Sequence, residues 1–305
     1  METLELATSS ATVQVAPGIG GALAQFTVAG VPILRPTPRA ALLARDVLGS
    51  ACYPLVPYSN RIRDATLEFA GRSFRLARNF GASPHSIHGV GWQRAWSVVE
   101  ASARHVLLAL DHDAAGPWAA AWPWPFAARL SYRLHERGGE ALLACTLGLR
   151  NTGSAAFPFG LGFHPFFPRD GASKLGFAAT SVWRNDASQL PCERMPVPDA
   201  WRFDPPRALD DVVLDNVFTG FAGHATLDDA FATRSIEADR ALAFVVVYAP
   251  AHGDYCAVEP VTHETDAFNR AAAGARCTGT RVLGPGEAFS CTMRVAARAR
   301  SPDAR

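Results

Sequence analysis

Apolar and polar residues alternate with a period of two over most of this chain. In RLSYRLH, Arg129 to His135, the side chains of Leu130, Tyr132 and Leu134 fall on one face. LACTLGL does the same with Leu143, Cys145, Leu147 and Leu149, and SCTMRVA with Cys291, Met293 and Val295. A two-residue period belongs to strands with one buried face. TLEFAGRSFRL reads as a hairpin, Leu67 and Phe69 answering Phe74 and Leu76 across a turn containing Ala-Gly. Helical periodicity is scarce, and its best candidate is a turn or two within RAALLARDVLG, Arg39 to Gly49.

Twenty-two prolines and 25 glycines punctuate the strand-like runs, with no Ser/Gly linker, internal repeat or low-complexity block. The pattern near both ends of the chain is the same. It predicts an all-β fold, one large antiparallel sandwich with few short helices, forming a single domain over residues 1–305. Residues 301–305 are expected to be a frayed tail.

Composition narrows the class. At 305 residues and 49% hydrophobic, the chain can bury a large core. No stretch of about 18 apolar residues marks a membrane span, and METLELATSSATVQVAP has neither the basic start nor the apolar run of a secretory leader. A cytoplasmic protein is expected. The net charge of +1, with acids and bases interspersed, argues against a nucleic-acid or anionic-membrane partner. Lys174 is the only lysine, which disfavours Schiff-base chemistry. The six cysteines, at 52, 145, 192, 256, 277 and 291, form no CxxC pair and are expected to be reduced.

Against this background the stretch YCAVEPVTHETDAFN, Tyr255 to Asn269, is odd: an apolar strand that is expected to end on an acid, Glu259, immediately before Pro260. Glutamate is rarely buried unless paired or functional. A structural salt bridge to an arginine is the plain alternative; desolvation would otherwise make it a proton acceptor near neutrality. His164, in GLGFHPFF, sits among aromatic residues that would suit a core equally well, but Pro165 follows at once and reads as a strand end, where sites are built. Three further stretches stand out: YPLVPYSNRI with Asn60 and Arg61, HSIHGVGW with His85 and His88, and VVLDNVF with Asp215. The i, i+3 spacing of HSIH lacks an obvious third ligand, so no metal is expected. Trp92, Trp122 and Trp124 fit core or rim packing. No Walker A, GxGxxG or GxSxG motif is present, and GIGG, Gly18 to Gly21, reads as a turn.

Taken in order, NRI, HG, a histidine followed by aromatics, an aspartate before an aromatic, and EPVTHETDAFN resemble the aldose 1-epimerase (galactose mutarotase) family over nearly the whole chain. The resemblance implies a galactose mutarotase-like β-supersandwich that needs no cofactor and acts on a small-molecule sugar, as a monomer or homodimer. It implies Glu259 as general base and His164 as general acid. It places Asn60, Arg61, His88 and Asp215 as substrate-binding residues, with Phe268 and Asn269 supporting the fold. Better-known galactose mutarotases carry an HSYFN-like run where this chain has HPFF, a departure that resembles a divergent bacterial branch. Three other readings remain open on the residues. A hexose-6-phosphate 1-epimerase would draw cations from Arg63, Arg78 and Arg276. A non-catalytic sugar-binding protein would not need both Glu259 and His164. A glycoside hydrolase would pair Glu259 with Asp215.

Overall fold

A computed structural model describes residues 3–210 and 212–300; the expected frayed tail, 301–305, lies outside the described residues. Among the described residues the strands form an 11-stranded sheet, a 9-stranded sheet and three two-stranded ribbons. Helix among these residues is confined to two short α-helices, Arg39–Ala44 and Ala267–Ala272, and a few 3-10 turns. This is the antiparallel sandwich that the period-two pattern predicts and the β-supersandwich that the family resemblance implies.

The pattern is read out residue by residue. Leu130, Tyr132 and Leu134 of the Phe126–Arg137 strand lie opposite Leu147, Cys145 and Leu143 of the Glu140–Asn151 strand, and all six are fully buried. The latter strand pairs in turn with Ala288–Ala299, setting Cys145 beside Met293 and Leu143 beside Val295. The 66–75 hairpin forms with Leu67 opposite Phe74, though Phe69 faces Arg72 and Leu76 lies just beyond the paired strands. The segment from Arg39 to Gly49 forms a helix of six residues and a 3-10 turn, Val47–Gly49. Trp92, Trp122 and Trp124 are buried in the two apolar clusters. Cys52, Cys145, Cys256 and Cys291 are buried and free; Cys192 and Cys277 are exposed and free.

The large sheet positions the site. Its middle runs in space through Cys52–Leu55, Gly162–Pro168, Tyr255–Val261, Phe244–Ala249 and Leu214–Thr219, neighbours hydrogen-bonded antiparallel. These five strands come from across the chain, so the surface they share exists only in the folded state. Each is covered on both faces. One face, with Phe163, Phe167, Val245, Val247, Cys256 and Val258, packs into the main core between the sheets. The other carries a second, smaller apolar cluster that includes Tyr53, Leu55, Phe166, Val246, Ala257 and Val261.

Candidate active site

Alternation along these strands fixes which polar groups meet. Tyr53, His164, Glu259, Tyr248 and Asp215 occupy positions that point to the outer face on five adjacent strands, and all five line one cleft of about 320 Å³. The acid of the apolar YCAVE run is thereby explained. Its neighbours Val258 and Cys256 face the main core, while Glu259 and Ala257 face the cleft.

The prolines beside the two central residues do not end their strands. Gly162–Pro168 runs through Pro165, and Tyr255–Val261 continues past Glu259 through Pro260 to Val261. The expectation that His164 and Glu259 stand at strand ends is therefore corrected: the site lies on a sheet face. What the prolines do is remove donors. A proline has no N–H for a ladder bond. The ladder between these strands opens between the Gly162–Val261 and Phe166–Ala257 pairs, and the register on either side aligns His164 with Glu259. Each proline keeps its place on the opposite strand, Pro165 beside Cys52 and Pro260 beside Val245.

Within this gap His164 Nε2 lies 3.1 Å from Glu259 Oε1. Both side chains are almost fully buried, at 7% and 2% exposure. Glu259 Oε2 and His164 Nδ1 are buried with no hydrogen-bond partner. Burial raises the Glu259 carboxyl well above its ordinary value; Asp215 adds to the rise and Arg61 opposes it. Burial also pushes His164 down, to about 3, helped by the positive charge of Arg35. Both shifts disfavour charge, so burial favours a pair that shares one proton and carries no net charge. The buried partner of Glu259 is thus a histidine; no arginine takes that place among the described residues. The imidazole is held between the rings of Tyr53, 4.6 Å away centroid to centroid, and Phe166, at 4.5 Å.

Arg61, Asp215, Asn60 and His88 line the same cleft. Arg61 Nη2 donates to Asp215 Oδ2 at 3.2 Å, in a half-exposed pair at the rim. Asn60 adopts a left-handed backbone, φ 55°, which asparagine tolerates better than most residues. Its side-chain oxygen accepts from both the Arg61 backbone N–H and Arg61 Nη1. Asn60 therefore aims the guanidinium that reaches Asp215. His88 accepts the Asn60 N–H at Nδ1 and sits edge-on to His164, with centroids 5.4 Å apart. Burial, with the charges of His164 and Arg61, keeps its pKa well below the ordinary value.

The end of the YCAVEPVTHETDAFN stretch does structural work. Asp266 donates its N–H to the Arg61 carbonyl and accepts the Arg63 N–H at Oδ1. Asn269 bridges the backbones of Thr66 and Glu68. His263 Nε2 accepts the Ser59 N–H and its Nδ1–H donates to the Glu264 carbonyl. These contacts tie the Ser59–Arg63 segment to the far side of the strand that carries Glu259. Phe268 packs against Tyr58, Trp122 and His263. Tyr53, Phe80, Tyr248 and Tyr255 also line the cleft and carry no sequence signal apart from being aromatic.

Other sequence candidates lie elsewhere. His85 accepts the Asp64 N–H and contacts the Ser188 carbonyl, away from the cleft. Arg63, Arg78 and Arg276 do not line it, and Arg63 pairs with Asp266 at 3.6 Å. Among the described residues no group of three or more His, Cys, Asp or Glu side chains is placed to hold a metal ion. Among the described residues no helix is long and apolar enough to cross a membrane.

The fold has solved counterparts. A galactose mutarotase-like protein from Clostridium acetobutylicum superposes with a TM-score of 0.84 at 19% identity, over 97% of this chain and 95% of that one. A galactose 1-epimerase from Lactobacillus acidophilus NCFM gives 0.76 at 18% identity, over 97% and 94%. In sequence, the chain is 27% identical over 286 residues to the uncharacterized protein YphB of Escherichia coli (strain K12), covering 90% of this chain and 91% of that protein. The family model for aldose 1-epimerase matches residues 2–296, and the chain belongs to that family.

Proposed function

We propose that this protein is an aldose 1-epimerase that interconverts the α and β anomers of a free aldose, with Glu259 as general base and His164 as general acid. The observation that carries the reading is the buried contact of 3.1 Å between the two at the floor of the cleft, with the second oxygen of Glu259 unpartnered. In a pyranose the anomeric hydroxyl and the ring oxygen share one carbon, so two neighbouring side chains can serve both.

With sugar bound, the single proton of the pair sits on His164 and Glu259 is ionised. Glu259 takes the proton of the C1 hydroxyl, His164 gives its proton to the ring oxygen, and the C1–O5 bond breaks to leave the aldehyde. Rotation about C1–C2 presents the other face of the carbonyl. On reclosure the neutral His164 recovers a proton from the C5 hydroxyl as its oxygen attacks C1, and Glu259 returns a proton to O1. The pair ends as it began. Ring opening converts a buried ion pair into a neutral pair, the state that burial favours, so the low dielectric of the site assists the step. Each positioned proton transfer contributes on the order of 10²–10⁴-fold, and holding the sugar against both groups adds to it through orientation. Arg61 and Asp215 at the rim, with His88 deeper in the cleft, offer donors and acceptors for ring hydroxyls.

The rival readings are less well supported by the cleft. The cations proposed for a phosphate do not line it, and Asp215, the second acid a hydrolase would need, is held by Arg61. Polarimetry of freshly dissolved α-D-glucose and α-D-galactose tests the reading, with glucose 6-phosphate and an aryl glycoside in parallel. Acceleration on the free sugars is expected. Acceleration on the phosphate alone, release of the aryl group, or binding without anomer exchange would each replace it with the corresponding rival.

A further inference from the structure

A second, larger cavity of about 770 Å³ opens beside the cleft. The two share Leu48 and Phe80, which line both. Leu48 and Phe80 are 42% and 38% exposed. Large apolar side chains left in water beside a polar cleft point to a ligand surface. The cleft itself is at the low end of the roughly 300–1,000 Å³ common for small-molecule sites. The neighbouring groove is more than twice its volume.

The groove is built, and the GIGG turn builds it. Gly20 has φ 64°, and a Cβ there would lie 2.2 Å from the Trp92 carbonyl oxygen, so only glycine lets the turn close on that segment. Trp92 then packs on Phe80 on the groove side and on Tyr53 and His88 on the cleft side. One aromatic cluster thus backs both spaces. Arg45, Asp46, Ser83 and Gln93 also line the groove and supply polar groups around its apolar floor. An exposed ring with polar groups about it matches a pyranose, whose C–H faces are apolar and whose edge is hydroxylated.

We infer that this groove is a second glycosyl subsite, so that the protein takes the reducing end of a disaccharide or longer oligosaccharide, with the next sugar lying across Phe80 into the groove. The inference rests on the proposed epimerase reading. That chemistry also fixes the linkage: the anomeric hydroxyl must stay free at Glu259, so the second sugar is attached through another oxygen of the reducing unit.

Glucose is compared with maltose, cellobiose and isomaltose, which share its reducing ring and differ by one further glucosyl unit. Anomer exchange is followed by polarimetry and NMR. At least one disaccharide is expected to show a KM about tenfold below that of glucose, the scale of one good aromatic contact. Gly18 lines the groove and has nothing within 4 Å of an added Cβ, so Gly18→Trp starts a bulky side chain there from open space. Ala82→Trp fills it from the exposed loop on the other side. Both are expected to bring the disaccharide KM back to that of glucose while leaving glucose kinetics unchanged. The subsite is overturned if glucose is accelerated but none of the three disaccharides has a lower KM, or if both wedges leave the ratio unchanged or slow glucose equally. Failure to accelerate glucose and the disaccharides alike would instead remove the epimerase reading on which the subsite stands.

Discussion

His88 Nδ1 accepts the backbone N–H of Asn60 at 3.0 Å. An imidazole that accepts at Nδ1 and is kept neutral by burial carries its proton on Nε2. Asn60 thereby converts His88 into a donor for the cleft, and both residues hold left-handed backbones, φ 55° and 57°, to make the contact. His88→Phe keeps a ring against Tyr53 and Trp92 but removes the donor and leaves the Asn60 N–H unpaired. A fall in kcat/KM of about tenfold or more is expected, read by polarimetric kinetics alongside a thermal melt. An unchanged kcat/KM would exclude His88 from substrate contact.

Asp215 and Arg61 hold each other at 3.2 Å and line the cleft that holds Glu259. Asp215→Asn keeps the shape and loses the charge. Its effect is expected in KM, up about tenfold, with a smaller change in kcat, the signature of binding common to ground and transition states. A loss confined to kcat would place Asp215 in the chemistry instead.

Asp266 joins the segment after Glu259 to the loop that carries Arg61 through its own N–H and its carboxylate. Asp266→Ala leaves the Arg63 N–H without that partner. Stability is expected to fall by about 1–3 kcal/mol in urea unfolding, with KM rising because the segment that carries Arg61 loses its tie at Arg63. Full stability together with wild-type KM would show that the clamp is dispensable.

Much of the architecture could be read from the chain because a two-residue period is local: Leu130, Tyr132 and Leu134 declare their strand and its buried face without reference to any other segment. The site was legible only as separate pieces. Glu259 and His164 stood out as polar residues in apolar runs, yet their being neighbours depends on pairing between segments about a hundred residues apart, which no local pattern encodes. Pro165 and Pro260 misled for a physical reason. Missing an N–H normally excludes proline from a central strand, but here the missing donors coincide with the ladder gap in which the pair sits. Tyr53 and Tyr248 stayed hidden because an aromatic residue in a strand fits a core and a cleft wall equally well, and Phe80 because it lies in a bend with no pattern around it.

Burial of Glu259 also predicts a trade between activity and stability. Its folded-state pKa is raised well above the ordinary 4.5, so the folded chain keeps a proton that the unfolded chain has released. Stability is therefore lost as pH rises above the unfolded value. Glu259→Gln removes that loss: its melting temperature is expected to exceed the wild type's by a margin that grows as pH rises above the unfolded value of about 4.5 and vanishes below it. His164, lowered from 6.5 to about 3, works the other way, and its loss of stability as pH falls through that range persists in the variant. A Glu259→Gln protein that is less stable at about pH 8 would mean that the carboxylate is a structural partner.

The most direct measurement is the rate of anomer exchange on a freshly dissolved α-aldose by Glu259→Gln and His164→Gln proteins whose melts show them folded. Both are expected to fall to the uncatalysed rate, each having lost one end of the proton exchange. A folded variant of either kind that equilibrates the anomers as fast as the wild type would contradict the account.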